Sequence, residues 1–336
     1  MKRIVSLFAF FFIHTIILGQ TPEEKGLQTI NQSTAEAYIH FLAHDLLEGR
    51  EAGTRGGYVA AEYISSCLKT MGIAPLAETY AQPFEAYAVE RQKRGRFQVH
   101  PDSIKKIKQG VHRKLSLQNI IGKIEGKKAD EYVIVGAHYD HLGVDPILNG
   151  DRIYNGADDN ASGVSAVLQI ARAFLASGKQ PERTVIFAFW DGEEKGLLGS
   201  RYFTSTFPAL DKVKAYLNFD MIGRNNKEAN PTHVVYFYTE AYPVFAEWSK
   251  KDIQKYNLHL SPVYRPWDRP VSGSDNASFA LSDIPIIWYH TDGHPDYHMP
   301  SDHTEKLNWD KIVDITKASF LNVWNLANDM QWITSK

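Results

Sequence analysis

The chain has 336 residues, 43% of them hydrophobic, which is enough core for one large α/β domain or two small ones. A formal net charge of −2 gives no basic field and argues against nucleic acid as a partner. The single cysteine, Cys67, excludes an internal disulfide.

Lys2 and Arg3 precede an apolar run from Ile4 to Leu18, and Gly19-Gln20 leads into the polar TPEEKG. That layout predicts a secretory signal peptide over residues 1–20, cut after Gly19 or Gln20. The run is shorter than the ~20 residues that span a bilayer and contains His14, so no stable membrane insertion is expected after cleavage. The expected location is periplasmic or secreted.

Ala35–Leu47 and Tyr58–Met71 read as amphipathic helices separated by the Gly- and Thr-rich EGREAGTRGG. Cys67 shares the apolar spacing of Ile64 and Met71 and reads as a core thiol. Residues 80–115 are polar, mixed in sign and too few to hold a further globular insert. Tyr132–Ala137, Thr184–Trp190, Ala215–Phe219 and Ile284–Tyr289 read as strands. Val164, Val167, Leu168, Ala171, Phe174 and Leu175 form one helical face closed by Gly178, and Trp309–Met330 reads as a terminal helix. Alternating strands and helices predict a mostly parallel sheet with helices on both faces.

Ligands of such sheets bind beyond the carboxyl ends of the strands. His138 and Asp140 follow the first of these strands, Glu193-Glu194 the second and Asp220 the third, while His298 lies in the loop after the fourth. Asp159, in NGADDNASG, precedes the helix that begins near residue 161. Singly, each has an ordinary explanation. Asp159 alone would be a helix N-cap, and Glu193-Glu194 alone a solvated turn. Together they supply the imidazole and carboxylate ligands that zinc takes, with one carboxylate to bridge two ions about 3.5–4 Å apart.

The segments GAHYDHLG, GADDNASG, GEEKGLLGS and DYHMPSD are jointly specific, and from about residue 34 onward the chain resembles the M28 family of zinc aminopeptidases. The resemblance implies a three-layer α/β/α fold around a mixed, mainly parallel sheet, with residues 21–336 as one catalytic domain. It implies two zinc ions, one held by His138 and Asp220, the other by Glu194 and His298. Spacing leaves Asp158 and Asp159 both open as the bridge, and the family pattern places it at Asp159, before a cis peptide bond. Glu193 would be the general base, and Asp140 would accept the second ring N–H of His138. Tyr297 is a candidate oxyanion donor, with a packed aromatic as the other reading. Ser272–Phe279 matches a segment that lines the site in the family, and His294 and His303 read as substrate-side or surface residues.

The implied activity is hydrolysis of the N-terminal peptide bond by a metal-activated bridging water. The substrates would be peptides or small proteins with a free N-terminus. A glutaminyl-peptide cyclotransferase on the same fold is an alternative. It would use one zinc and the substrate's own amine, with a Trp where this chain has Tyr297. A non-catalytic binding module fits poorly, since every ligand and the base are present. A carboxypeptidase would need an arginine cluster, for which only Arg265 and Arg269 are placed.

Overall fold

The structure is a computed structural model that describes residues 19–90, 96–267 and 272–332. Most of the signal-peptide segment therefore lies outside the described residues. The strands are β1 (Ala74–Pro75), β2 (Ala81–Val89), β3 (His112–Ile124), β4 (Lys128–His138), β5 (Gly143–Val144), β6 (Ile153–Tyr154), β7 (Arg183–Trp190), β8 (Val213–Phe219), β9 (His233–Tyr238), β10 (Ser261–Pro266) and β11 (Ile286–His290). The helices are α1 (Pro22–Leu27), α2 (Gln32–Leu42), α3 (Arg55–Met71), α4 (Pro101–Ile107), α5 (Gly163–Ser177), α6 (Leu198–Thr206), α7 (Val244–Lys255), α8 (Asn276–Ala280) and α9 (Trp309–Asn328).

Nine strands form one sheet in the order β1-β3-β7-β4-β8-β11-β9-β10, with β2 paired to β3. Its centre, β7-β4-β8-β11, is parallel throughout. β3 and β9 join this centre antiparallel, and β10 lies parallel to β9. All eight residues of β7 are buried, as expected of a strand covered on both faces. Side chains of a strand point alternately to opposite faces. Val133, Val135 and Ala137, with Val185, Phe187 and Phe189, face a core that includes residues of α2, α3, α5 and α9. Ile134, Ile186, Ala188 and Trp190 face a second core with Phe203 of α6 and Phe279 of α8. These are the three layers the sequence implies.

Element boundaries differ from expectation in ways that matter locally. The first predicted helix stops at Leu42 and gives way to a tight turn over Asp45–Arg50, where Glu48, Gly49 and Arg50 all have positive φ. Residues 80–115 do not stand apart. Their strand β2 pairs with β3 along its whole length, from Ala81 opposite Ile120 to Val89 opposite His112. On α5 the predicted apolar face is buried except for Leu175 at its end, which is 40% exposed. Gly178 closes α5 at φ +67°, the left-handed conformation that favours glycine there. Cys67 is half-buried and packs against the larger core. Among the described residues no helix is long and apolar enough to cross a membrane.

Candidate metal centre

Four adjacent parallel strands deliver the polar residues to one edge of the sheet. His138 is the last residue of β4, Glu193 and Glu194 follow β7, Asp220 follows β8, and His298 lies in the loop after β11. Asp159 sits in the irregular turn Ala157–Ser162 that opens α5, with a cis peptide bond to Asn160. Asp159 does not cap the helix. Asn160 does so, its Oδ1 accepting the Gly163 N–H at 3.1 Å. Asp159 is thereby released to face the histidines.

Its two oxygens face different partners. Oδ1 is 3.3 Å from His138 Nε2, which is 3.7 Å from Asp220 Oδ1. Oδ2 is 3.2 Å from His298 Nε2, which is 3.3 Å from Glu194 Oε2. Asp158, the other aspartate the spacing leaves open, points away. Its Oδ1 accepts the Gly223 N–H at 2.6 Å and its Oδ2 is 3.2 Å from His294 Nε2. His294 is thus a buried partner of Asp158 rather than a substrate-side group. His303 pairs with Asp151 at 2.8 Å near the surface.

These separations suit a pair of cations. Two ligands about 2.0–2.1 Å from a tetrahedral zinc lie roughly 3.3 Å apart. The buried Oδ1 of Asp159 has no hydrogen-bond partner, although His138 Nε2 is 3.3 Å away. His138 Nδ1 is 3.1 Å from the Asp140 carbonyl oxygen, which fixes hydrogen on Nδ1 and turns Nε2 toward Asp159 and Asp220. Two overlapping groups, His138-Asp159-Asp220 and His141-Asp159-Glu194, have the spacing to hold metal.

Asp140 acts differently from the expectation. Its carboxylate is 3.7 Å from His138 Nδ1, whereas its own carbonyl is nearer and takes that hydrogen. The carboxylate instead accepts the backbone N–H groups of Glu193 at 3.0 Å and Glu194 at 3.3 Å. Asp140 therefore ties the loop after β4 to the loop after β7.

Electrostatics reflect crowding of like charges. Burial pushes the Glu193 carboxyl well above its ordinary range, and Glu194, Asp220 and Asp275 push the same way against His138. Burial likewise raises Asp140 strongly. Burial opposes charge on His298, but Asp159 and Glu194 outweigh it and raise the ring to about 10. Asp159 is held well below the usual range because the three histidines around it outweigh its burial. Divalent cations act on such carboxylates in the opposite sense to burial.

His138, Asp159, Glu193, Asp220, Tyr297 and His298 line one cleft of about 310 Å³, together with Met221, Gly273, Trp288, His290 and Gly293. Gly273 comes from the Ser272–Phe279 segment, so that segment does reach the cleft. Tyr297 is half-exposed, its ring stacked on His298 with centroids 3.9 Å apart. Burial, and then the surrounding carboxylates, raise its phenol and keep it protonated. Arg265 lies over the Phe237 ring, and Arg269 falls outside the described residues.

Two residues of the site escaped the sequence reading. His141, three positions after His138, is buried with Nδ1 2.8 Å from Glu194 Oε1. Arg50 is buried beneath the site and donates to the carbonyls of Leu42, Tyr139, Asn155 and Gly156 at 2.5–3.0 Å. The His-Tyr-Asp-His run could have flagged His141. Nothing in the sequence around Arg50 points to residues 139–156.

Residues 119–323 match the profile of peptidase family M28. The chain belongs to that family. As an M28 chain it is 38% identical over 120 residues to leupeptin-inactivating enzyme 1 of Streptomyces exfoliatus, a match covering 35% of this chain and 24% of that protein. The chain thus matches about a quarter of the length of that curated relative. Among solved structures, BSAP, a zinc aminopeptidase from Bacillus subtilis, superposes with a TM-score of 0.68 at 16% identity, covering 89% of this chain and 96% of that one. The glutaminyl cyclase of Porphyromonas gingivalis superposes with a TM-score of 0.62 at 17% identity, covering 88% and 98%. At these identities the superpositions establish the M28 fold.

Proposed function

We propose that this M28 chain is a two-zinc aminopeptidase that removes the N-terminal residue of peptides, with residues 21–336 as its catalytic unit, exported after loss of residues 1–20. One observation carries the reading: the two oxygens of Asp159 face two separate imidazole–carboxylate pairs at ligand spacing. His138 and Asp220 would hold one ion, Glu194 and His298 the other, and Asp159 would contribute an oxygen to each. When bound, such ions would supply Lewis-acid polarisation of the scissile carbonyl and a lowered pKa of water.

The chain's own residues do the rest. Glu193 lines the cleft and belongs to neither metal-spaced group, so its carboxylate is free to take the proton of the attacking water and return it to the leaving amine. Tyr297 donates its hydroxyl hydrogen to the oxygen that develops negative charge. Asp140 holds the Glu193–Glu194 turn through two backbone amides, which fixes the base relative to its ligand neighbour.

The test is a panel of aminoacyl chromogenic substrates beside their N-acetylated forms, with and without a chelator. Cleavage of the free-amine substrates only, abolished by chelation and restored by zinc, is expected. Turnover of N-terminal glutaminyl peptides to cyclised product with one zinc per chain would instead establish the cyclotransferase.

A further inference from the structure

His141 has a built slot. Its ring is buried, and its backbone N–H donates to the Arg50 carbonyl at 3.2 Å. Gly156, at φ +57°, forms one wall; a Cβ there would come 2.6 Å from His141 Cδ2. His298 forms another, its ring edge-on to His141 with centroids 5.9 Å apart. The polar end of the ring, Nδ1, meets Glu194 Oε1 at 2.8 Å and is 3.8 Å from Asp159 Oδ2.

Distances separate a ligand from a supporting donor. Both contacts of His298 Nε2, at 3.2 and 3.3 Å, match the roughly 3.3 Å edge between two zinc ligands. The 2.8 Å between His141 Nδ1 and Glu194 Oε1 is a hydrogen-bond length instead. An ionised carboxylate can only accept, so the hydrogen belongs to Nδ1. The other nitrogen, Nε2, is buried with no hydrogen-bond partner, so Nδ1 is the ring atom that engages a neighbour.

We propose that His141 is a positioning residue that engages Oε1 of Glu194 and leaves Oε2 as the single oxygen offered to metal beside His298. This rests on the two-zinc reading above. Without that hydrogen bond the carboxylate could present either oxygen, and the ion that Glu194 and His298 would hold would lose a fixed oxygen ligand. Residues that hold a metal ligand from behind typically contribute about 10–100-fold to affinity.

Two variants separate the donor from the bulk. His141→Asn puts an N–H close to the position of Nδ1, whereas His141→Leu has nearly the same volume and no donor. Zinc affinities are read by chelator competition, cobalt-substituted absorption reports coordination, and thermal melts of the metal-free proteins check the fold. The Leu variant is expected to bind one of its two zinc ions about 10–100-fold more weakly, and the Asn variant to stay within about threefold of the parent. Equal zinc affinity in Leu variant and parent overturns the proposal. Loss of one ion from both variants, with loss of a nitrogen ligand in the cobalt spectrum, makes His141 a ligand and also overturns it. Two tightly bound zinc ions without aminopeptidase turnover would overturn the proposed activity and leave the role of His141 standing.

Discussion

The two halves of the proposed metal centre are built in different ways. His138 and Asp220 follow or end neighbouring parallel strands, β4 and β8, whose register pairs Ala137 with Phe219. Their spacing is inherited from the sheet, and the His138 side chain is 1% exposed. Glu194 and His298 ride on loops; the His298 side chain is 36% exposed and its backbone has φ +55°. Their positions are secured by side chains: Asp140 under Glu193 and Glu194, His141 against Glu194, Tyr297 stacked on His298. Asp296 pins the last loop through Arg224 and Lys306, both at 2.7 Å. A strand end fixes a ligand through the backbone. A loop must recruit several residues to do as much.

The largest effect should come from the residue common to both halves. Asp159→Asn is expected to lose both ions and reduce kcat/KM by about 10³-fold or more, corresponding to several kcal/mol of lost electrostatic stabilisation. Elemental analysis beside kinetics decides it, and retention of two ions would break the bridging role. Next, Glu193→Gln should keep two zinc ions and a near-native melting temperature, with kcat lower by at least about 10²-fold and KM little changed. Glu194→Gln should lose only the loop-half ion. Reversed metal contents would exchange the two assignments. Asp140→Asn, which turns an amide toward backbone N–H groups, should weaken activity or metal affinity by roughly 10–100-fold. Its zinc titration should show the loss in the Glu194 half, since the Asp140 carboxylate contacts the Glu193–Glu194 turn while its unchanged carbonyl holds His138.

A smaller, pH-dependent effect concerns the support of the strand-end half. Lys311 of α9 donates to the Arg224 carbonyl at 3.1 Å, beyond Asp220, and Asn308 donates to Gly223 at 2.7 Å. Burial lowers the Lys311 ammonium to about 8, against the pull of Asp158 and Glu228. Between that value and about 10.4 the unfolded chain binds the extra proton, so this group makes stability rise with pH. The stability difference between parent and Lys311→Met should therefore shift in the parent's favour from pH 8 to 9.5. Denaturant melts of the metal-free proteins measure it, and a flat difference would remove Lys311 from the account.

The same contrast governs what the sequence made legible. The strand-end ligands announced themselves because a run of β-formers ended at His138 and again just before Asp220. The loop ligands were legible only through their motifs, since no periodicity marks them. What stayed hidden were partners distant in sequence. Gly156 and Arg50 both border His141, and no local pattern links them. Asp140 was expected to reach His138 through its carboxylate, but a residue two positions from its target presents its carbonyl more directly. The pairing of β2 with β3 was missed because its polar, mixed-sign residues obscure the alternation of Phe84, Ala86 and Ala88, and the buried Tyr87 interrupts it.

Arg50 sets a constraint on timing. Its guanidinium is satisfied by carbonyls at positions 42, 139, 155 and 156, and burial lowers it to about 10 while Asp159, Asp302, Asp140 and Glu194 support its charge. A cation with such partners has no reason to leave water until residues a hundred positions later have been made. At about 5–20 residues per second, residue 156 is synthesised roughly 5–20 s after residue 50. The Arg50 site, and with it the slot around His141, therefore needs residues 42–50 and 139–156 together. If the chain is exported unfolded, as the proposed signal segment implies, Arg50 leaves water only in the compartment where the chain arrives, and any metal would be acquired there.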